Sequence, residues 1–536
     1  MKPFLAPVDD ILFSLDHLVG ASRLPDWDPE LAAEIASHFA AFAEGEIAPL
    51  DEPGDRQGCT LTNGRVAMPD GFATVYAAYA EQGWPGLTAP EQFGGQGMGA
   101  VMLAMTSEVF SGACHSLQMV TGLVPGAIRT LMRFGTDAQK NRLIPPLATG
   151  QMLATMCLTE PGAGSDLSRV RCRAVPDGGT WRITGEKIFI SGGDQDMSDG
   201  ILHLVLARTS DDGVRGLSLF LCTDMVDGTR NRIAVTRIEE KMGLHASPTC
   251  QLAFDGAIAE LIGQPGEGLK AMFTMMNHAR LDVALQGVAH AARAHDVAAS
   301  YAADRQQGRG GDGRPVTLDQ HADVARMLDE IDALALGGRA MVHQAFVTME
   351  AGDNPDLVEF LTPIAKVFCT EAGMKAAELG MQVLGGYGYL AEYRLEQTYR
   401  DARITAIYEG ANGIHARTLG ERLLRGANVK TANAFETFLQ DQAASNGQRE
   451  TLEIWRRARG IVAAATNPAE LAHHFMQLTI DALLHTIWQR FMTVADRHPD
   501  RARITRVAQK QINQICAFLP GRLALLQADD VGNPEL

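Results

Sequence analysis

Apolar residues recur at three- and four-residue spacings over most of this chain, and in short β-branched runs over one central stretch. PELAAEIASHFAAFAEGEIAPL, from Pro29, and DGFATVYAAYAEQGW, from Asp70, carry the helical period and predict N-terminal helices parted by the turn-rich joints DEPGDRQG and TAPEQFGGQGMG. From Met152 to about Phe254 the texture changes. TWRITGEKIFISGG, GILHLVLARTS, GLSLFLC and NRIAVTRIEEKMGL alternate with Gly and Asp turns and predict a small β domain. Past Gly268 the helical period returns in GLKAMFTMMNHARLDVALQGVAHAARAHDVAASYAADRQ and in two further long runs, with GRGGDGRPVT (308–317) reading as a loop between helices. After about Asn428 comes another mostly helical stretch. The predicted class is α+β, with a helical domain over 1–150, a β domain over 151–262, a helical bundle over 263–428 and an additional helical region over 429–536.

Length and composition narrow the possibilities. With 536 residues the chain exceeds what one hydrophobic core serves, so about two to four domains are expected. Hydrophobic residues at 46% and charged residues at 21% fit a soluble globular protein and exclude collagen-like or disordered classes. Lys+Arg 47 against Asp+Glu 64 gives −17, a poor match to nucleic acid or anionic lipid. The eight cysteines are scattered without CxxC or a nearby His at ligand spacing, so neither a disulfide framework nor a metal site is expected. Asp9, Asp10 and Asp16 interrupt the N-terminal stretch where a signal peptide needs an apolar run, and nothing approaches the ~18 apolar residues of a membrane span. A cytoplasmic location is the expectation.

Three glycine patterns imitate a dinucleotide-binding turn: Gly308 to Gly313 matches GxGxxG, and Gly95-Gln-Gly97 and Gly386-Tyr-Gly388 match its variant. None follows a hydrophobic strand and opens a helix, so a Rossmann site is not expected. Thr159-Glu-Pro-Gly-Ala-Gly-Ser165-Asp, packed between predicted strands, is either an ordinary turn or a rigid loop whose amides and hydroxyls hold a heteroaromatic edge or a phosphate. Lys187-Ile-Phe189-Ile190-Ser191-Gly-Gly repeats the theme, and alone reads as a strand with a turn. Glu409 lies between Tyr408 and Gly410, after the apolar Ile404 and Ile407 and just before a helix start at Asn412. A carboxylate in an apolar pocket gains proton affinity and becomes a useful general base; the alternative is an acid complementing a helix dipole.

TEPGAGSD, KIFISGG, the Arg305 segment DRQQG, the run QVLGGYGYLAEYRLEQTYRDARI and YEGANGIHA stand in the order seen in the acyl-CoA dehydrogenase family, which the chain resembles over about 30–425. The N-terminal extension and extra C-terminal helices resemble the longer bacterial branch, which includes 3-methylmercaptopropionyl-CoA and broad-range fatty acyl-CoA dehydrogenases. The resemblance implies an N-terminal helical domain, a β-barrel-like middle domain and a C-terminal four-helix bundle, with FAD between the last two. It implies FAD contacts from Leu158, Thr159, Ser165, Phe189 (where many relatives have Trp), Ile190 and Ser191. Arg305 would reach a neighbouring subunit's FAD phosphates, and Gln382, Gly385 and Gly386 would close on the adenosine part across a dimer. A homo-oligomer, a dimer or dimer of dimers, is thereby implied.

By the same resemblance Glu409 is the base that removes the α-proton of an acyl-CoA thioester while hydride leaves the β-carbon, with electrons passing to electron-transferring flavoprotein. Ser165, Asn277 and Arg280 would contact substrate, although Arg280 in its apolar helix also reads as half of a structural ion pair with a partner such as Glu409. The chain departs from the pattern at Ala411, a cofactor-side position where many relatives carry a hydroxyl, and at Gly413. Two rivals share the fold: a flavin oxidase or monooxygenase, and a DNA-associated protection protein. Over 431–536, one Lys and ten Arg balance eleven Asp and Glu, so nucleic acid is disfavoured as a partner. Glu409→Gln, which keeps the shape and removes the base, is expected to retain FAD and lose turnover by orders of magnitude. Undiminished substrate oxidation by that variant would overturn the assignment.

Overall fold

The computed structural model describes residues 3–531. In chain order come α1 (Val8–Phe13), α2 (Pro29–Phe42), α3 (Ala48–Gln57), the short hairpin β1 (Thr60–Thr62) and β2 (Arg65–Ala67), α4 (Phe72–Glu81), α5 (Ala100–Thr121), α6 (Val124–Phe134) and α7 (Asp137–Ala148). Strands follow: β3 (Met152–Cys157), β4 (Arg173–Asp177), β5 (Thr180–Ser191), β6 (Gly200–Arg208), β7 (Leu217–Thr223), β8 (Met225–Val226), β9 (Thr229–Arg230), β10 (Ile233–Ile238) and β11 (Thr249–Ile262). Then come α8 (Gly268–Asp304), the hairpin β12 (Gln306–Arg309) and β13 (Pro315–Thr317), α9 (Ala322–Ala351), α10 (Pro355–Leu384), α11 (Leu395–Arg403) and α12 (Asn412–Arg417). The chain ends in α13 (Val429–Asp441), α14 (Asn446–Ala464), α15 (Pro468–Val494) and α16 (Arg501–Val531). Two compact units form: one takes residues up to 41, 104–112 and from 280 onward, the other 42–103 and 113–279.

The second unit centres on a seven-stranded sheet in the order β10-β11-β5-β4-β6-β3, with β7 pairing both β11 and β6. β6 reads GILHLVLAR and is buried at nearly every position, as expected of a strand flanked on both sides and covered on both faces. It pairs parallel with β3 and antiparallel with β7. Ile183, Val205, Phe220, Leu252 and Phe254 form the core of this sheet. The long strands β5 and β11 pair antiparallel with two register shifts, one of them between Cys250 and Leu252.

Two joints differ from their expected form. DEPGDRQG is helical through Gln57, although it contains Pro53. Gly54 is the reason: a Cβ there would lie 2.8 Å from the Phe72 ring and 3.1 Å from Ala246, so the glycine lets this turn pack closely and burial outweighs turn composition. GRGGDGRPVT is the β12–β13 hairpin rather than a loop. Gly310 N–H donates to the Arg314 carbonyl (2.9 Å), and Gly308 and Gly313 both take φ of +79°, a region glycine enters at no steric cost. The GxGxxG pattern therefore marks a chain reversal.

The first unit is helical, with a core from α8, α9, α10 and α11 that includes Ala298, Ile331, Ala335, Ala376 and Leu395. A buried charge network joins its distant segments. Arg339 of α9 donates to both Glu108 oxygens of α5 (Nε 2.9 and 3.1 Å, Nη2 2.6 Å), and both side chains are sealed from solvent. Its Nη1 lies 3.6 Å from Asp10 of α1, which also accepts from His498 (2.9 Å) and from both terminal nitrogens of Arg503 on α16 (3.0 and 2.9 Å). Arg503 Nε bonds Asp332 at 2.7 Å. Burial works against the charge on Asp10, yet the His498 hydrogen bond and the Arg339 and Arg503 charges hold its carboxyl well below the usual range. The N-terminal extension and the last helix are thus fastened to the bundle by paired buried charge. Among the described residues no helix is long and apolar enough to cross a membrane, and no His, Cys, Asp and Glu cluster is placed to hold a metal.

Removing one partner of such a pair strands the other charge. Arg339→Met is expected to cost about 3–5 kcal/mol, and the Glu108→Leu/Arg339→Met double variant to recover much of it. Urea unfolding of the three proteins checks both.

Candidate active site

Glu409 sits where α11 has ended, after a 3₁₀ turn over Ile404–Ala406 and three residues before α12 begins. Its φ is +53° and that of Gly410 +93°. A non-glycine residue in this left-handed region costs about 1–2 kcal/mol and persists only where its surroundings impose it. They do so from three helices. His415 of α12 hydrogen-bonds the Glu409 carbonyl through Nε2 (3.0 Å), so that nitrogen carries the proton. Lys366 of α10 donates to the Gly410 carbonyl (2.8 Å) and to Asn412 Oδ1 (2.9 Å). Tyr408 donates from its hydroxyl to Gln286 Oε1 of α8. Gly410 admits no side chain, because a Cβ there would stand 2.9 Å from His415 Nε2.

The residue Glu409 as a whole is half-buried, but its Oε2 is sealed from solvent and has no hydrogen-bond partner among the described residues. Burial pushes its pKa up from 4.5 to about 7, and the Arg280 and Lys366 charges pull the other way. Arg280 of α8, expected to need a partner in its apolar helix, finds the Glu409 charge: burial lowers its pKa and Glu409 opposes the shift. Lys366 is lowered to about 7 by burial, with Glu409 opposing and Arg280 adding to the effect. His415 is held neutral, its pKa lowered to about 3 by burial and then by the same two cations. A dry carboxylate facing two cations is poised to exchange a proton near neutral pH, which a solvated helix-start acid is not.

In the sheet unit, the two glycine-containing motifs are tied to each other. Lys187, buried in β5, donates to Glu160 Oε1 (2.8 Å) and to the Leu158 carbonyl (3.0 Å). Glu160 in turn accepts from the backbone N–H groups of Arg171 (2.7 Å) and Cys172 (3.0 Å), and Ile188 N–H donates to the Thr159 carbonyl (2.9 Å). The 158–165 loop is thereby locked to the strand, with Leu158 buried, Thr159 half-buried and Ser165 exposed. Phe189 lies in the register shift of β5 against β11, at φ of +59°, and the residue is 61% exposed. A bulge that turns a large aromatic to solvent presents a stacking surface. Ser191 is half-buried, whereas Ile190 points into the sheet core and leaves only its backbone for contact.

In the helical unit Arg305 is exposed at the end of α8, with its guanidinium over the Tyr387 ring at 5.8 Å. Tyr387 also packs against Tyr301 and Tyr393. This aromatic group brings Arg305 to the end of α10, where Gln382 in its last turn and Gly385 and Gly386 just beyond it are exposed and a Cβ on either glycine would meet nothing within 4 Å. Ala411 is the residue before α12 and makes no capping bond. Asn277 is exposed on α8. Asn412 and His415 lie within YEGANGIHA without a role assigned there, and Lys366 lies outside every motif. For Lys366 the signal was present: a lone cation inside the apolar run FLTPIAKVF, the same signal that singles out Arg280.

Three family models match the chain: the acyl-CoA dehydrogenase N-terminal domain over 29–151, middle domain over 155–257 and C-terminal domain over 266–424. The chain is 41% identical over 473 residues, 83% of its length and 80% of the relative's, to a 3-methylmercaptopropionyl-CoA dehydrogenase of Ruegeria pomeroyi. It is 31% identical over 495 residues, 84% and 80% of the two lengths, to a broad-specificity linear acyl-CoA dehydrogenase of Mycobacterium tuberculosis. Among solved structures, butyryl-CoA dehydrogenase of Megasphaera elsdenii matches 74% of this chain and 98% of its own with a TM-score of 0.64 and 26% identity. An acyl-CoA dehydrogenase of Bacillus anthracis complexed with FAD shares the fold over 96% of this chain and 94% of its own, with a TM-score of 0.75 and 22% identity.

The raised proton affinity of Glu409 has a consequence for stability. Between 4.5 and about 7 the folded chain holds a proton that the unfolded chain has released, so this group's contribution weakens as pH rises through that window. Glu409→Gln is therefore expected to raise the thermal midpoint at pH 8 and to leave it near the parent value at pH 4.5. Melting curves of both proteins at the two pH values check the sign.

Proposed function

The chain belongs to the acyl-CoA dehydrogenase family, and we propose that it carries out FAD-dependent α,β-dehydrogenation of an acyl-CoA thioester, with Glu409 as the base and electron-transferring flavoprotein as the electron acceptor. The observation that carries this reading is the dry Glu409 carboxylate, held in a left-handed turn with its proton affinity set near neutrality. A base acts best when its pKa lies near the working pH. Glu409 takes the α-proton, and the fixed turn keeps its oxygen from swinging away during the transfer.

The residues present fit FAD. The exposed Phe189 ring suits a flat heteroaromatic face, with Leu158, Thr159, Ser165 and Ser191 offering polar and apolar edges beside it. Exposed Arg305, Gln382 and the open Gly385-Gly386 loop suit phosphates and an adenosine group, contributed across a homo-oligomer. Ala411 offers no hydroxyl, so any contact there is through backbone. Bound FAD supplies the hydride acceptor. For the acyl group, the similarity to the Ruegeria pomeroyi enzyme favours 3-methylmercaptopropionyl-CoA, and the likeness to a linear acyl-CoA and a butyryl-CoA dehydrogenase puts short linear thioesters next. The enzyme is proposed to work in the cytoplasm.

Several arginines of the C-terminal region are engaged by carboxylates. Arg456 pairs with Glu436 (2.7 Å), as does Arg459 (2.6 Å), while Arg503 and Arg506 pair with Asp332, Asp10 and Asp329. Cations engaged in this way speak for a structural role and against a DNA-binding surface.

A graded panel of acyl-CoA thioesters, scored by anaerobic bleaching of the bound flavin, tests the activity. Bleaching is expected to be fastest with 3-methylmercaptopropionyl-CoA or a short linear chain, and to fade as pH drops below about 7, where Glu409 is protonated. A flat response to every thioester would overturn it.

A further inference from the structure

We propose that Lys366 is a positioning residue for this reaction: it pins the turn that presents Glu409 and supplies, from behind that turn, the positive charge against which Glu409 ionises. The proposal rests on the reading of Glu409 as the base.

The Lys366 side chain is 0% exposed, in the middle of α10. A buried ammonium is expensive, and a methionine of similar volume would fill the space without that cost. What the ammonium does there is specific. Two of its three donors go to the Gly410 carbonyl (2.8 Å) and Asn412 Oδ1 (2.9 Å), so it clasps the turn on the residue after Glu409 and on the first residue of α12. The Asn412 amide is itself oriented, because its Nδ2 donates to Thr370 Oγ1 and to Glu371 Oε1, both at 3.2 Å. Its oxygen is left facing Lys366. Glu371 is steadied from α15 by Gln477 (3.4 Å). A chain of oriented groups therefore runs from α15 through Glu371 and Asn412 to the lysine.

The charges around the base come from every element packed on it. α8 contributes Arg280, α10 contributes Lys366 and Glu371, α12 contributes His415, which is neutral, and Arg422 acts on Arg280 from beyond α12. Tyr408 lies beside Glu409 with its own proton firmly held by burial. Of the two cations that favour the carboxylate, Arg280 is permanent, whereas Lys366 has a proton affinity close to that of Glu409 itself. Once Glu409 has taken a proton, the charge that held the lysine's proton in place is gone. Lys366 is thus the adjustable member of the pair, and its state is coupled to that of the base.

The test uses flavin-loaded wild type, Lys366→Met, Lys366→Arg and Glu409→Gln. The Glu409 carboxyl is titrated by infrared difference spectroscopy with Glu409→Gln as the blank, and the acidic limb of kcat/KM is recorded alongside. Lys366→Met is expected to raise the Glu409 midpoint and the acidic limb together by about one unit or more, the size expected for losing a nearby opposite charge. Lys366→Arg, with a charge that cannot be lost, is expected to lower the midpoint below the wild-type value. A merely structural lysine would lower activity or stability in Lys366→Met and leave the midpoint in place, and that result would overturn the proposal. Should Lys366→Met not yield flavin-loaded protein, Lys366→Arg decides: a midpoint below wild type supports the proposal, and an unmoved or raised midpoint overturns it. The two readings fail separately. Full activity in Glu409→Gln removes the base, while an inactive Glu409→Gln with an unmoved midpoint in Lys366→Met removes only the role of the lysine.

Discussion

The helical unit is organised around the cost of drying one carboxylate. Glu409 Oε2 is out of reach of water and lacks a hydrogen-bond partner among the described residues. An ionised group in that position is tolerable only because Arg280 and Lys366 act on it. Burial works against the charge on both cations and the carboxylate opposes that shift, while the lysine and His415 grip the carbonyls of the left-handed turn. Three helices far apart in sequence, α8, α10 and α12, are therefore coupled through a single side chain.

The same logic, buried charge permitted only in company, recurs where chemistry is absent. Glu108, Arg339, Asp10, Arg503 and Asp332 tie the first helix and the last helix to the bundle. Glu160 and Lys187 fasten the loop of one motif to the strand of the other, which leaves Phe189 free to face outward from its bulge. Each network specifies a register and an orientation that apolar packing alone would leave loose. Function and architecture thus draw on one device, and they differ in whether both carboxylate oxygens have a partner. Glu108 and Glu160 are fully engaged, whereas Glu409 keeps one oxygen idle for a proton.

Helical and strand periods were plain in the amino-acid order, because amphipathic helices and the apolar runs of β6 and β7 advertise burial directly. The joints were not. DEPGDRQG has turn composition yet is helical, since the close approach of Gly54 to Phe72 depends on a residue eighteen positions away. GRGGDGRPVT reads as loop by composition and is a hairpin, because strand pairing over so few residues leaves no periodic trace. At the site, Glu409 stood out through its neighbours Tyr408 and Gly410, and Arg280 through its misfit in an apolar helix. Lys366 had the same misfit but no motif beside it, and His415 and Asn412, although inside YEGANGIHA, gave no sign of which groups they would hold.

Sequence alone settled what is local or strongly patterned: which stretches are helix or strand, and the order of the motifs that mark the family. Tertiary structure decided what depends on distance between remote residues. Whether Glu409 is wet or dry, which cations see it, and which peptide is forced into a left-handed turn all follow from packing among α8, α10 and α12. Proton affinity is a property of surroundings rather than of residue type, and surroundings exist only once the chain has folded.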